Sequence, residues 1–320
     1  MKKLMFGVLV LAVVMVVLVF APMAQADRTD RVDGREFKLR GNNAPAEEMA
    51  RRLEGMRAVL AAEGHTFEIG QNEAMNYPIE QLCGLNPNLA GPEDAEFENP
   101  EEGFYTVEAL PTSFTGKCGG VRNQGSCGSC WAFGIIGAIE SQWAYVTGTY
   151  YDFAERYLLD CNTYGYSCSG GWFTAFNDCK YPKYFKYESC YPYTPKKQTC
   201  TAPSSCNADY VTSWAYVGSS SGVPSTSSIQ QKIYDHGAVT AAVYVDSYWQ
   251  AYTSGCFTRN ASGSVNHAIV LCGWDNNKCG TGVGAWKLKN SWGTSWGESG
   301  FMWIKYGVQK VGYAACYANY

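Results

Sequence analysis

A nucleophile needs a group whose proton can be taken, and this 320-residue chain offers 14 cysteines but only 3 histidines. Among the cysteines, Cys130 has the setting that favours ionisation. It lies in Asn123-Gln124-Gly125-Ser126-Cys127-Gly128-Ser129-Cys130-Trp131-Ala132-Phe133, after which Phe133, Ile136, Gly137, Ile139, Trp143 and Val146 recur at helical spacing. At the head of such a helix, unpaired N–H groups and the positive end of the macrodipole favour an anion, and the thiolate is the attacking species. A base must come from His65, His236 or His267. His236 precedes Gly237 after a helical stretch and is expected to do nothing catalytic. His267, in Val265-Asn266-His267-Ala268-Ile269, opens an apolar strand, an edge position from which a ring can face a cleft. The plain alternatives are a structural cysteine and a satisfied core histidine. Cys127 and Cys130 also have the C-x-x-C spacing of a redox couple, but such a couple follows a strand, and here Gly and turn residues precede it.

The elements that must carry these residues divide in two. Residues of about 111–215 read as helical: the helix from Cys130, then Phe153-Ala154-Glu155-Arg156-Tyr157-Leu158-Leu159, then a short helix near Trp172. Residues of about 216–320 read as β-rich. Runs from Ala238 to Tyr244, Ala268 to Trp274, Gly284 to Asn290 and Phe301 to Tyr306 are separated by Gly, Asn and Ser, and predict an antiparallel barrel-like sheet. Between the helices, Gly170 and Gly171 permit close backbone approach, either as a packing turn or for a partner.

Residues 123–133 resemble, over their whole length, the motif around the reactive cysteine of papain-like peptidases, the family of papain and the cathepsins, whose core is C-G-[SA]-C-[WY]. The order Gln124, Cys130, His267, Asn290 and the separations of 137 and 160 residues from Cys130 fit that family. The resemblance implies an α+β, papain-like fold of two subdomains with a cleft between them, and a cysteine endopeptidase. Cys130 and His267 would form the thiolate–imidazolium pair, Asn290 would orient the ring, and Trp292 would cover that hydrogen bond. Gln124 and the Cys130 backbone N–H would stabilise the tetrahedral oxyanion. Gly171, beside Gly170, would bond the substrate main chain two residues before the cut. Trp172, Phe173, Ala242, Val265 and Ala268 would line an apolar specificity pocket. The family residue at the floor of that pocket is in question, because the chain stops at Tyr320, four residues past Cys316. Asn266 stands where papain has aspartate, a change expected to preserve activity.

The same resemblance implies disulfides Cys127–Cys168, Cys161–Cys200 and Cys256–Cys316. Cys118, Cys179, Cys190, Cys206, Cys272 and Cys279 remain in the body, with Cys179–Cys190 and Cys272–Cys279 as short local candidates. Cys83 is left over. Neither a cofactor nor a metal is expected, since the Cys spacings lack the histidine partners usual in zinc sites. The stretch from Trp172 to Tyr191 lacks the long histidine-bearing insertion of cathepsin B, so carboxydipeptidase activity is not expected.

The start of the chain reads as an export peptide, residues 1–26: Met1-Lys2-Lys3, an apolar run from Leu4 to Ala21, and Ala24-Gln25-Ala26 for cleavage. No other stretch approaches the 18 apolar residues of a membrane span. Residues 27–110 carry 18 acidic and 8 basic side chains, whereas 111–320 carry 11 and 15, which suits an acidic lid on a basic body. A helix from Pro45 to Ala62, a strand-like His65-Thr66-Phe67-Glu68-Ile69-Gly70-Gln71-Asn72, Leu82-Cys83-Gly84 and a linker from Pro87 to Gly103 resemble the short inhibitory proregion of cathepsin B-like enzymes. Such a segment crosses the cleft in the reverse direction to substrate. Acid is expected to weaken its attachment by protonating carboxylates, before cleavage near Gly103 to Leu110 frees a catalytic domain at 111–320.

The expected partners are protein or peptide substrates, the chain's own proregion and cystatin-like inhibitors. No basic patch interleaved with aromatics supports nucleic-acid binding, and a monomer is expected. Export implies a secreted, lysosomal, vacuolar or periplasmic location. Asn260-Ala261-Ser262 is a glycosylation pattern in a eukaryotic secretory route. An exopeptidase, a transpeptidase or ligase with the same catalytic residues, and a catalytically silent binding homologue are the competing functions.

Overall fold

The computed structural model describes residues 46–89, 96–97 and 109–320. The expected export peptide, most of the linker, and residues 103–108 of the expected processing region lie outside the described residues. Helix α1 (Ala46–Ala62) carries Glu47 and Glu48 in its first turn, where negative charge is favourable, and buries Met49, Leu53, Met56 and Leu60. Those four side chains belong to the same apolar core as Trp249, Phe257 and Trp296 of the β-rich part. An amphipathic helix of this length is marginal alone, and that core supplies what it lacks. Strand β1 (Glu68–Ile69), helix α2 (Ile79–Leu82) and strand β2 (Glu96–Phe97) follow.

The body contains β3 (Ser113–Thr115), α3 (Cys130–Thr147), α4 (Glu155–Cys161), a 3-10 turn (Phe173–Asp178), β4 (Ser213–Tyr216), α5 (Thr226–His236), β5 (Val239–Val243) and α6 (Ser247–Gln250). After these come β6 (Tyr252–Ser254), β7 (Cys256–Phe257), β8 (His267–Asp275), β9 (Ala285–Lys289), β10 (Phe301–Lys305) and β11 (Tyr313–Asn319). The main sheet runs β2-β4-β11-β5-β8-β9-β10-β7, with β3 added on β8. Its pairs are antiparallel except β10 with β7 and β2 with β4. Strand β1 pairs separately with β6.

Helix α3 was expected to bury one face. Every residue from Cys130 to Gln142 is buried instead, because the helix is wedged between the sheet and a second apolar core built on Phe153, Trp172 and Phe176. Gly134 allows this: a Cβ there would lie 2.5 Å from Thr240 Oγ1 on β5. The helix therefore presses directly on the strands beside His267. His236 ends α5, as expected, with its ring stacked 4.3 Å from that of Tyr317.

The disulfides require correction in three places. Cys127–Cys168 and Cys161–Cys200 are bonded. Cys256 bonds Cys279 and not Cys316. Cys316 lies on β11 and Cys256 on β7, with β5, β8, β9 and β10 between them. At about 4.8 Å per strand, that exceeds the ~7 Å limit on a disulfide's Cα separation. Cys272 bonds Cys118 and not Cys279, since Gly116 N donates to the Cys272 carbonyl at 2.7 Å and brings the chain alongside. Cys190 bonds Cys206 and not Cys179, because Lys186 bridges Asn207 and Tyr187 N donates to the Cys206 carbonyl. Cys179 is a free thiol in the helical core, and Cys83, Cys130 and Cys316 are also unbonded.

Candidate active site

Cys130 is the first residue of α3, preceded by Ser129 as N-cap, and is fully buried. Burial pushes its thiol up to about 11, against backbone N–H groups of Ala268, Gly84, Trp131 and Leu85 that lie at the sulfur and pull the other way. Two of these amides belong to the N-terminal segment and one to the residue after His267. The helix-borne sulfur thus lies against the backbone of the residue that follows His267 on the sheet.

His267 opens β8. Its Nε2 donates to Asn290 Oδ1 at 2.8 Å, and that oxygen also accepts from Ser291 N at 2.8 Å, which fixes the amide's orientation. The Trp292 ring lies 4.9 Å from the imidazole, tilted 44° to it. Nδ1 is buried with no hydrogen-bond partner among the described residues. Burial lowers the ring's pKa to about 4, although the Asn290 bond and the Leu82 carbonyl both favour the charged form.

That shift has a consequence for stability. A histidine held neutral in the fold stabilises it fully above the unfolded value of about 6.5, and the stabilisation drains away as pH falls from there through 4. Between pH 7 and pH 4, in a Cys130→Ala background that cannot cut itself, denaturant titration should show the full chain losing roughly 3 kcal/mol more than its His267→Gln derivative. Equal losses would contradict the buried, neutral ring.

Gln124 is held at every polar atom. Its Nε2 donates to the carbonyls of Leu82 at 2.9 Å and Cys127 at 2.7 Å, and its Oε1 accepts from Ser291 Oγ at 2.7 Å. Its N–H donates to the Ser291 carbonyl at 2.9 Å, and its own carbonyl accepts from Tyr193 Oη at 2.9 Å. Sequence reasoning missed both Ser291 and Tyr193. Ser291 had a signal in being next to Asn290, whereas Tyr193 had none.

The N-terminal segment fills the cleft. Leu85 N donates to the Asn266 carbonyl at 3.0 Å, Gly171 N to the Gly84 carbonyl at 3.0 Å, and Asn86 N to the Gly171 carbonyl at 3.1 Å, a parallel bridge. Leu85 is buried in one apolar cluster with Trp172, Phe173, Ala242, Val265 and Ala268, the five expected pocket residues. Tyr216 and Cys316 share that cluster, and Trp172 Nε1 donates to Tyr216 Oη at 3.1 Å. Gly170 holds φ 137°, a conformation side chains rarely adopt. The Asn266 side chain faces away, pairing with both Val245 main-chain groups at 2.8 and 3.0 Å, so that its own backbone carbonyl serves the cleft. Asn260 is exposed, with Oδ1 accepting from Gln309 N.

At Gly84 the backbones meet most closely, and a Cβ there would lie 1.8 Å from the Gly128 carbonyl oxygen. Gly84→Ala should displace residues 82–86 at a cost of about 1–3 kcal/mol. Amide exchange at Leu85 and Asn86 would then run about tenfold faster or more, and unchanged exchange would refute the contact. Among the described residues, no group of His, Cys, Asp and Glu could hold a metal, and no helix is long and apolar enough to cross a membrane.

Residues 112–319 match the family model described as papain family cysteine protease. The chain is 31% identical to fruit bromelain of Ananas comosus over 251 residues, 76% of this chain and 69% of that one. It is 35% identical to cathepsin L 1 of Paramecium tetraurelia over 245 residues, 74% and 73% of the two chains. A solved recombinant stem bromelain precursor superposes with TM-score 0.71 at 26% identity, covering 89% of this chain and 92% of that one. These relatives do not confirm the expected likeness of the N-terminal segment to the proregion of cathepsin B-like enzymes.

Proposed function

The chain belongs to the papain family of cysteine proteases, and on that premise we propose an endopeptidase made as a zymogen. In this reading residues 1–26 are the export peptide, 27–110 the inhibitory proregion, and 111–320 the catalytic domain. The observation that carries it is a peptide already lying in the groove, with its Leu82 carbonyl on Gln124 Nε2 and its Gly84 and Leu85 amides at the sulfur. The proregion pairs in parallel with Gly171, the reverse of the direction the family pattern expects of substrate, and so escapes cleavage.

Once the proregion leaves, water reaches the site and the thiol proton moves to His267 Nδ1. The thiolate attacks a peptide carbonyl carbon, and Gln124 Nε2 with the Cys130 N–H receives the negative oxygen, roughly 3 kcal/mol for one such donor. The imidazolium protonates the leaving nitrogen as the C–N bond breaks, leaving a thioester. Nδ1 then takes a proton from water, whose oxygen attacks the thioester, and the acid and the thiolate separate. Asn290 keeps Nδ1 aimed without adding a charge.

Leu85 is buried in one apolar cluster with Trp172, Phe173, Ala242, Val265 and Ala268, which supports a leucine-sized apolar side chain at the second position before the cut. The disulfides suit the secretory route, with secretion or a vacuolar or lysosomal location. The test is to process the full chain in acid, supply a peptide library and sequence the new termini. Internal cuts with leucine-like residues two before the break, favoured about tenfold or more over charged ones, are expected, since burying the extra apolar side chain contributes ~1.5–3 kcal/mol. Products limited to terminal dipeptides would overturn the endopeptidase reading, and products joined to added amines would indicate a transpeptidase.

A further inference from the structure

We propose that Tyr193 is a positioning residue for the oxyanion site, tying the loop that carries Gln124 to the head of the helix that carries Cys130. The proposal rests on the peptidase reading above and adds a residue that reading does not use. Tyr193 Oη donates to the Gln124 carbonyl at 2.9 Å and lies 2.7 Å from Ser129 Oγ. A phenol has one proton; with that proton given to Gln124, the Ser129 hydroxyl donates to Tyr193. Ser129 is the N-cap of α3, and its carbonyl accepts from Ala132 N at 2.8 Å and Phe133 N at 3.3 Å, so it is part of the first helical turn. The Tyr193 ring is fixed edge-on to Phe133 at 4.8 Å, and its backbone N–H donates to Glu188 Oε1 at 2.7 Å. Burial pushes the phenol's pKa up, which keeps its proton in place for donation.

The geometry matters because the two oxyanion donors sit on different elements. The Gln124 amide is fastened to the sheet half through both its Ser291 contacts, whereas the Cys130 N–H moves with α3. Donors must converge within about 2.7–3.1 Å of one developing charge, and a small relative shift spoils that. One hydroxyl bonded to residues 124 and 129 holds the loop and the helix in register.

The experiment uses the full chain, processed, as wild type, Tyr193→Phe and Ser129→Ala. Tyr193→Phe keeps the ring on Phe133 and loses both bonds. It should lower kcat about tenfold with KM within twofold, and weaken a peptide aldehyde, whose hemithioacetal needs the oxyanion donors, by a similar factor. The rate–pH profile of alkylation by iodoacetamide, which needs the thiolate but no oxyanion site, should stay as in wild type. Ser129→Ala should weaken the aldehyde in the same direction and serves if Tyr193→Phe does not fold. A lowered melting temperature with unchanged kcat and aldehyde affinity, an alkylation profile that falls together with kcat, or aldehyde binding by Ser129→Ala within twofold of wild type would each overturn the proposal. A wild-type processed chain that cleaves no peptide would instead sink the peptidase reading.

Discussion

At pH 7 iodoacetamide will alkylate Cys130 about 10,000-fold more slowly in the intact full chain than in the processed enzyme. With burial holding the thiol's pKa up to about 11, only about one molecule in 10,000 carries the attacking thiolate at that pH. A cysteine paired with histidine at a helix head falls instead to about 3–4 and is almost fully ionised. In the zymogen reading proposed above, the proregion silences the sulfur electrostatically as well as by covering it. Its removal restores water and a charged partner, and the S–C bond forms as iodide leaves. Cys83, Cys179 and Cys316 are also unbonded, so the label must be assigned by peptide mapping. Rates within tenfold of each other would mean that the proregion leaves the thiolate intact.

Opening the zymogen has a further property. In the closed form the pair holds one proton, on sulfur, with the ring neutral; in the open form the proposed mechanism again gives it one, now on nitrogen. Near neutral pH the pair therefore exchanges no net proton with solvent on opening and supplies no acid trigger of its own. The loss of stability expected on His267 between pH 6.5 and 4 concerns global unfolding, where no thiolate awaits the ring. What ties the acidic segment to the body lies elsewhere, at the junction. Glu63 lies 3.5 Å from Arg259, Glu68 accepts from Ser254 Oγ at 3.0 Å, and Glu73 from Ser295 Oγ at 3.4 Å. Each of these contacts joins the acidic segment to the body through a carboxylate.

Strand β11 shows where sequence reasoning ran out. Tyr313-Ala314-Ala315-Cys316-Tyr317-Ala318-Asn319 has no alternation, and alanine is a poor strand former. It is a strand because β4 and β5 flank it and both its faces are buried, a tertiary effect. Without β11 placed, the family pattern alone pairs Cys316 with Cys256. Ser291 and Tyr193 stayed hidden for a related reason: they bond Gln124 from 167 and 69 residues away, on atoms no local pattern marks. The helix at Cys130 and the strand at His267 were legible because a thiol at a helix head and a histidine opening an apolar run are local signals. The N-terminal helix was legible by its stripe, whereas Leu85 looks like any loop leucine, and its burial in one apolar cluster with Trp172 and Ala268 comes only with the folded chain.

Cys130→Ala will lower peptide hydrolysis by the processed chain about a million-fold, to what binding and the oxyanion donors achieve without a nucleophile. The size follows from the chemistry: no thioester forms, and neither His267 nor Gln124 has a substitute attacking atom to assist. Losing a sulfur that only packed would act differently, creating a small cavity worth about 1–2 kcal/mol of stability and leaving turnover alone. The variant precursor also separates the remaining alternatives. Incubated alone in acid it should stay full length, and a trace of processed wild type should cut it near residues 103–110, because the target lies in the chain while the means does not. A variant that still hydrolyses peptide at the wild-type rate would remove the thiol from the mechanism and leave a binding homologue contaminated by another enzyme as the simpler explanation. Loss of hydrolysis and of amine transfer together would assign both to one thioester, with the ratio of water to amine products in wild type deciding which reaction the cleft was built for.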